Sequence, residues 1–181
     1  NTIYVGVSYD TGKFRLYSEF LLDDYQKDEY MLEPATFGYI VGVDSLSINI
    51  IKYLSFKYTK IANRTYQTHN SLGIEDYTHR GFSIGHYLGN DFDQFHLKVN
   101  LNAISYNTHK FIPELQISFS RDGANGIETE WDSPWLESEN LKSGKYTENF
   151  PTEPFDEIFE AELSSKVNKS SALGFYFKSE K

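Results

Sequence analysis

The 181-residue chain has no cysteine, one methionine and only five prolines. Missing thiols exclude a disulfide framework and thiolate metal sites, while leaving the compartment open. No apolar run approaches the ~18 residues that a membrane-spanning helix requires. A spanning β-strand needs only about 10 residues of alternating pattern, so a membrane stays admissible. Basic residues are the minority, 17 Lys and Arg against 26 Asp and Glu, for a formal net charge of −9. Nucleic-acid binding wants Lys and Arg clustered on one face, and this balance argues against it. Internal repeats and low-complexity tracts are missing too, which removes solenoids. The first residue is Asn1 rather than Met. That fits either removal of a leader or a chain that is a fragment of a longer one.

Aromatic residues are abundant: 14 Tyr, 14 Phe and 2 Trp make up 17% of the chain. They favour strands over helices, and suit aromatic girdles at a lipid interface as well as a filled soluble core. Apolar and polar residues alternate almost everywhere. Phe95, Leu97, Val99, Leu101 and Ala103 oppose His96, Lys98, Asn100 and Asn102. Phe14, Leu16, Phe20 and Leu22 oppose Arg15, Tyr17, Glu19 and Asp23, and one face of 46–60 is interrupted only by Lys52. Period 2 predicts eight strands, at about 2–9, 13–23, 35–43, 46–60, 92–105, 110–121, 156–166 and 171–178, with no convincing helix.

Several of these strands exceed ten residues, whereas soluble strands most often have ~5–6. Their connections alternate between short ("DTG", Asp44-Ser45, "YNTH", "VNKS") and long (24–34, 61–91 and 122–155). Membrane barrels alternate in this way because tight turns face one side and functional loops the other. A Greek-key sandwich has no reason to. The expected fold is therefore all-β, an antiparallel up-and-down transmembrane β-barrel or part of one, in a single segment 1–181. Alternation alone does not say whether the apolar face looks inward or outward. A soluble β-sandwich or lipocalin-like binding module, with that face as its core, is the alternative.

The most distinctive stretch is "YTHRGFSIGHYLGND", 77–91, which follows "NRTY" and leads into the strand "FDQFHLKVN". With "FRLYSEFLLDDY" at 14–25 and "SRDGANGI…SPW" at 120–135, it resembles the Wzi-type capsule-assembly outer-membrane barrels, in the form found in Bacteroidetes. The resemblance runs from about residue 13 to the C-terminus. It implies a bacterial outer-membrane location and attachment or assembly of capsular polysaccharide. It also implies a place for this chain as the C-terminal part of a larger barrel.

On their own terms, Gly81, Gly85 and Gly89 read as backbone permissiveness in a tightly folded loop. They do not make a dinucleotide fingerprint, for which the strand–helix context is missing. His69, His79 and His86 could gather around a metal with Asp91 or Asp93, but no pair has the regular spacing that converges ligands. Hydrogen bonding that pins the loop is the simpler reading. Asp23 and Asp24 are adjacent on a strand, point to opposite faces and cannot easily flank one bond. Arg15, Glu19 and Asp23 share the polar face and read as a lumenal ladder of polar partners.

From Asp122 to Asp156 inclusive there are nine carboxylates against Lys142 and Lys145. This is a solvated acidic loop, or a surface that attracts cations. Trp131 and Trp135 offer ring faces for a sugar, and equally for packing or interfacial anchoring.

These readings lead to a non-catalytic outer-membrane protein without cofactor or metal. Its long loops would contact surface or capsular polysaccharide, lipid, or a neighbouring outer-membrane protein. The residues for that contact are Tyr77, His79, Arg80, His86, Trp131 and Trp135, acting by many weak contacts. An enzyme using His79, His86 and Asp91 ranks last, since no nucleophile with an oriented base is visible.

Overall fold

The computed structural model describes residues 3–24, 33–45, 49–67, 78, 79, 82, 83, 85–143, 146–167 and 171–181. The chain is all-β and antiparallel. Its long strands are β1 (Ile3–Asp10), β2 (Phe14–Asp24), β3 (Thr36–Ser45), β4 (Ile51–Ile61), β7 (Phe92–Leu101), β9 (His109–Asp122), β10 (Asp156–Val167) and β11 (Ser171–Glu180). Short strands β5 (Thr78–His79) and β6 (Phe82–Ser83) form a separate pair, and β8 (Ile104–Tyr106) pairs with β9. The main sheet has nine strands in the order β1-β2-β3-β4-β7-β9-β10-β11, with β8 off that path, and it does not close on itself. Neighbours in sequence are neighbours in space. Successive connections therefore leave from opposite ends, which puts all three long ones on one rim.

Local chemistry explains the strand ends. At the first hairpin the Asp10 carboxylate accepts the Gly12 N–H at 2.6 Å, and Gly12 takes φ +77°, which only glycine adopts without strain. Two bulges reset the alternation. Ile51 opposes Leu101 and Tyr53 opposes Asn100, leaving Lys52 as the extra residue. This is why the interrupting lysine leaves the face beyond it apolar. Similarly, Leu22 opposes Phe37 and Asp24 opposes Thr36, which makes Asp23 the extra residue of a second bulge.

Three expectations, two for strands and one for a loop, are corrected. The strand expected at 46–60 begins at Ile51; residues 46–48 lie outside the described ones. The one expected at 92–105 breaks after Leu101 and resumes as β8, because the register against β9 shifts by one residue between Asn100, opposite Glu114, and Ile104, opposite Phe111. The third long loop, expected to hold no helix, contains a 3-10 turn at Pro134–Leu136 and the six-residue helix α1 (Ser138–Ser143).

Register sorts the two faces. One row crosses the eight long strands as Tyr9, Leu16, Val43, Phe56, Leu97, Ile117, Ala161 and Phe177. On β7 this face runs Phe95, Leu97, Val99, Leu101, about 20 Å at ~3.4 Å per residue. It ends at a charged row, Lys60, Asp93, Arg121 and Glu157. There Arg121 grips Asp93 at 2.6 Å and Tyr58 donates to the same carboxylate at 3.0 Å. The opposite face is polar, with rows such as Lys57, His96, Ser118, Glu160 and Lys178.

The apolar face is left bare. Phe56, Phe95, Leu163 and Phe175 are 42%, 44%, 52% and 71% exposed, and among the described residues only Ile61, Phe92 and Trp135 are buried hydrophobics. Apart from the two-residue strands of the β5–β6 pair, the described residues form no second sheet.

Candidate functional site

The described parts of the second and third long connections lie at the rim end of the polar face, and buried polar groups hold them together. Asp91 is the hub. It sits at φ +57° and is fully buried, and its carboxylate accepts the backbone N–H groups of Asn125 and Thr152, both at 3.1 Å. Its carbonyl accepts from Gly123 at 2.8 Å. One aspartate thus joins the second long loop to both ends of the third. Burial raises its pKa, outweighing the two backbone hydrogen bonds that lower it. Gly123 is required here, because a Cβ at that position would collide with the Asp91 carboxylate.

Arg64 makes a second clasp. Its side chain is 4% exposed. Nε and Nη2 donate to Glu148 Oε1 at 3.0 and 2.8 Å, and Nη1 donates to the Asp132 carbonyl at 2.8 Å. Trp131 and Trp135 flank the guanidinium, with ring centres 5.0 and 4.9 Å from its carbon. Burial pulls the Arg64 pKa down, and hydrogen bonds to Asp132 and Glu148 more than offset it, so the value ends above the ordinary one. Tyr146 donates to Glu148 at 3.2 Å. Burial first, then the Glu148 charge, pushes its phenol up to about 12.

A third element is the segment from Gly85 to Leu88, which lies against the polar face. The His86 ring packs on Phe92 with centres 4.6 Å apart, and Gln94 donates to the Tyr87 hydroxyl at 2.7 Å. The Tyr66 ring fits against Gly85 so closely that a Cβ there would collide with it. Tyr66 itself is anchored through its N–H, which donates to Asp23 at 2.7 Å. Burial lowers the His86 pKa to about 4, with the nearby Lys57 charge acting in the same direction. His86 Nδ1 accepts the Leu88 N–H at 3.3 Å, so the proton of the neutral ring is on Nε2.

Under this segment lies a cavity of about 230 Å3. Leu21, Ile40 and Ile61 line it from the sheet, Tyr66 and His86 from above, and Tyr4 and Glu19 toward β1.

The expected site residues are dispersed. Tyr77, Arg80 and His69 lie outside the described residues, and His79 is described only as backbone in β5. His86 is on the polar face, while Trp131 and Trp135 are at the Arg64 clasp. Arg15 and Glu19 share the polar face, each with its own cross-strand partners: Asp10 and Asp44 oppose Arg15, and Gly6 and Ile40 oppose Glu19. The Asp23 carboxylate accepts the Tyr66 N–H. Arg64, Glu148 and Tyr66 were not singled out from sequence, since nothing local marks a residue whose partners lie in another loop.

No family model, curated protein or solved structure matches this chain.

Proposed function

We propose that the chain is a non-catalytic wall segment of a bacterial outer-membrane β-barrel. One observation carries this reading: a predominantly apolar face, eight strands wide, is exposed, while its opposite is largely polar and charged. A water-soluble fold would be strained by such a surface, whereas a barrel turns it toward lipid and keeps the polar face on the lumen. The charged row at Lys60–Asp93–Arg121 then marks where the apolar band ends and the headgroups begin.

The free edges support the same reading. β1 carries no charge or proline from Ile3 to Tyr9 and every residue in it is exposed. Soluble proteins blunt such edges. In a barrel, further strands pair with them, either from the rest of a larger barrel or from a neighbouring outer-membrane protein.

The rim loops, held by Asp91 and Arg64, form a fixed surface suited to many weak contacts with surface or capsular polysaccharide. That role is what the resemblance to the Wzi-type family implies. A soluble sandwich module would need a second layer over the apolar face, and the described residues supply none.

Fractionation tests the reading. Recovery from the outer membrane only with detergent, with gel mobility that changes on heating, is the expected result. Recovery as a soluble monomer without detergent would overturn it.

A further inference from the structure

The cavity beneath Tyr66 and His86 has a composition unlike the rest of the polar face. Its floor of Leu21, Ile40 and Ile61 is apolar in a face otherwise lined by Lys57, His96, Ser118 and Glu160. Three rings, Tyr4, Tyr66 and His86, stand around it. Glu19 is its one carboxylate among the described residues. Tyr4 hydrogen-bonds Glu19, yet no Lys or Arg lines the cavity and no ion pair involves Glu19 among the described residues. In the sheet Glu19 is flanked by Gly6 and Ile40, neither of them charged.

From this arrangement we infer that the cavity is a binding site for a small organic ammonium ion with an apolar body. A compact cation gains from ring faces through their negative quadrupole and from an uncompensated carboxylate at the same time. Its alkyl groups cover the Leu21–Ile40–Ile61 floor. An anion would meet Glu19 unscreened, and a strongly hydrated metal ion would gain nothing from the apolar floor.

Size limits the ligand further. At ~30 Å3 per water, about 230 Å3 holds roughly seven to eight waters, or a molecule of about that many heavy atoms. His86, held neutral down to about pH 4, adds no opposing charge. Lys57, the nearest cation in the register, lies one row away, opposite Gly42 rather than Ile40, and does not line the cavity. This inference rests on the cavity alone and stands whether the chain is drawn from a membrane or from solution.

The test compares choline with its neutral isostere 3,3-dimethyl-1-butanol, titrated calorimetrically into the full chain in a maltoside detergent. Choline is expected to bind at least about tenfold more tightly than the alcohol. Glu19→Gln should remove most of that difference. Ile40→Trp, which fills the floor, should abolish binding of both. Should Ile40→Trp disturb the sheet, as judged by heat-dependent gel mobility, Tyr66→Leu decides instead, since it removes one wall of the cage from a loop. Equal binding of the two compounds, no binding of choline, or choline binding unchanged in both cavity variants would each overturn the inference.

Discussion

The Arg64 guanidinium shares a single oxygen of Glu148 between its Nε and Nη2, at 3.0 and 2.8 Å, and so ties the second long loop to the third across 84 residues of sequence. The pair is nearly dry, with side chains 4% and 15% exposed. A buried charge that loses its partner is expensive, on the order of 3–5 kcal/mol. Arg64→Ala should therefore free the third loop, raising its rate of limited proteolysis and lowering stability by about 3 kcal/mol. Arg64→Lys should rescue little, because an ammonium cannot span Glu148 and the Asp132 carbonyl at once.

Gly123 and Gly126 make a matched pair. A methyl group at 123 would strike the Asp91 carboxylate, while nothing lies within 4 Å of one at 126. Overpacking of this kind costs about 1–3 kcal/mol. Gly123→Ala is expected to destabilise the rim by that amount in denaturant unfolding, and Gly126→Ala to leave it within ~0.5 kcal/mol. Equal effects would remove Asp91 from its place as the hub.

Acid should loosen the segment around His86. Its pKa is about 4 when docked, mainly through burial, against an ordinary 6.5. Between these values the undocked form binds the proton more tightly, so docking is at full strength above about pH 6.5 and weakens as pH falls toward 4. Hydrogen exchange of amides 85–92, corrected for intrinsic rates, should rise from pH 7 to pH 5. His86→Phe should abolish that dependence while keeping the packing on Phe92.

Much of the sheet was legible because a strand with one apolar face writes its register directly into period 2, as Phe95-Leu97-Val99-Leu101 does. The bulges at Asp23 and Lys52 were not, since an extra residue is defined by what stands opposite it. The same holds for the rim. Trp131 and Trp135 stood out as rings, but what they enclose, Arg64, lies more than sixty residues earlier in the chain. The glycine-rich stretch was readable as backbone permissiveness: Gly89 takes φ +80° and Gly85 admits the Tyr66 ring. The cavity was illegible because strand pairing from β1 to β4 and a loop ring assemble it together.

Charge placement on β7 should separate the two faces. Arginine at Val99 belongs in the apolar band and is expected to cost about 2–4 kcal/mol of membrane-folded stability, while arginine at the neighbouring Asn100, on the polar face, should cost far less. Refolding yield into lipid vesicles reads the difference.

The most direct test of the central claim uses the absence of native cysteine. Single cysteines at 95 to 100, each labelled with an environment-sensitive fluorophore, would be reconstituted into vesicles containing brominated lipid. The account predicts strong quenching at 95, 97 and 99 and little at 96, 98 and 100. Uniform quenching, or quenching confined to the even positions, would contradict an apolar face turned toward lipid.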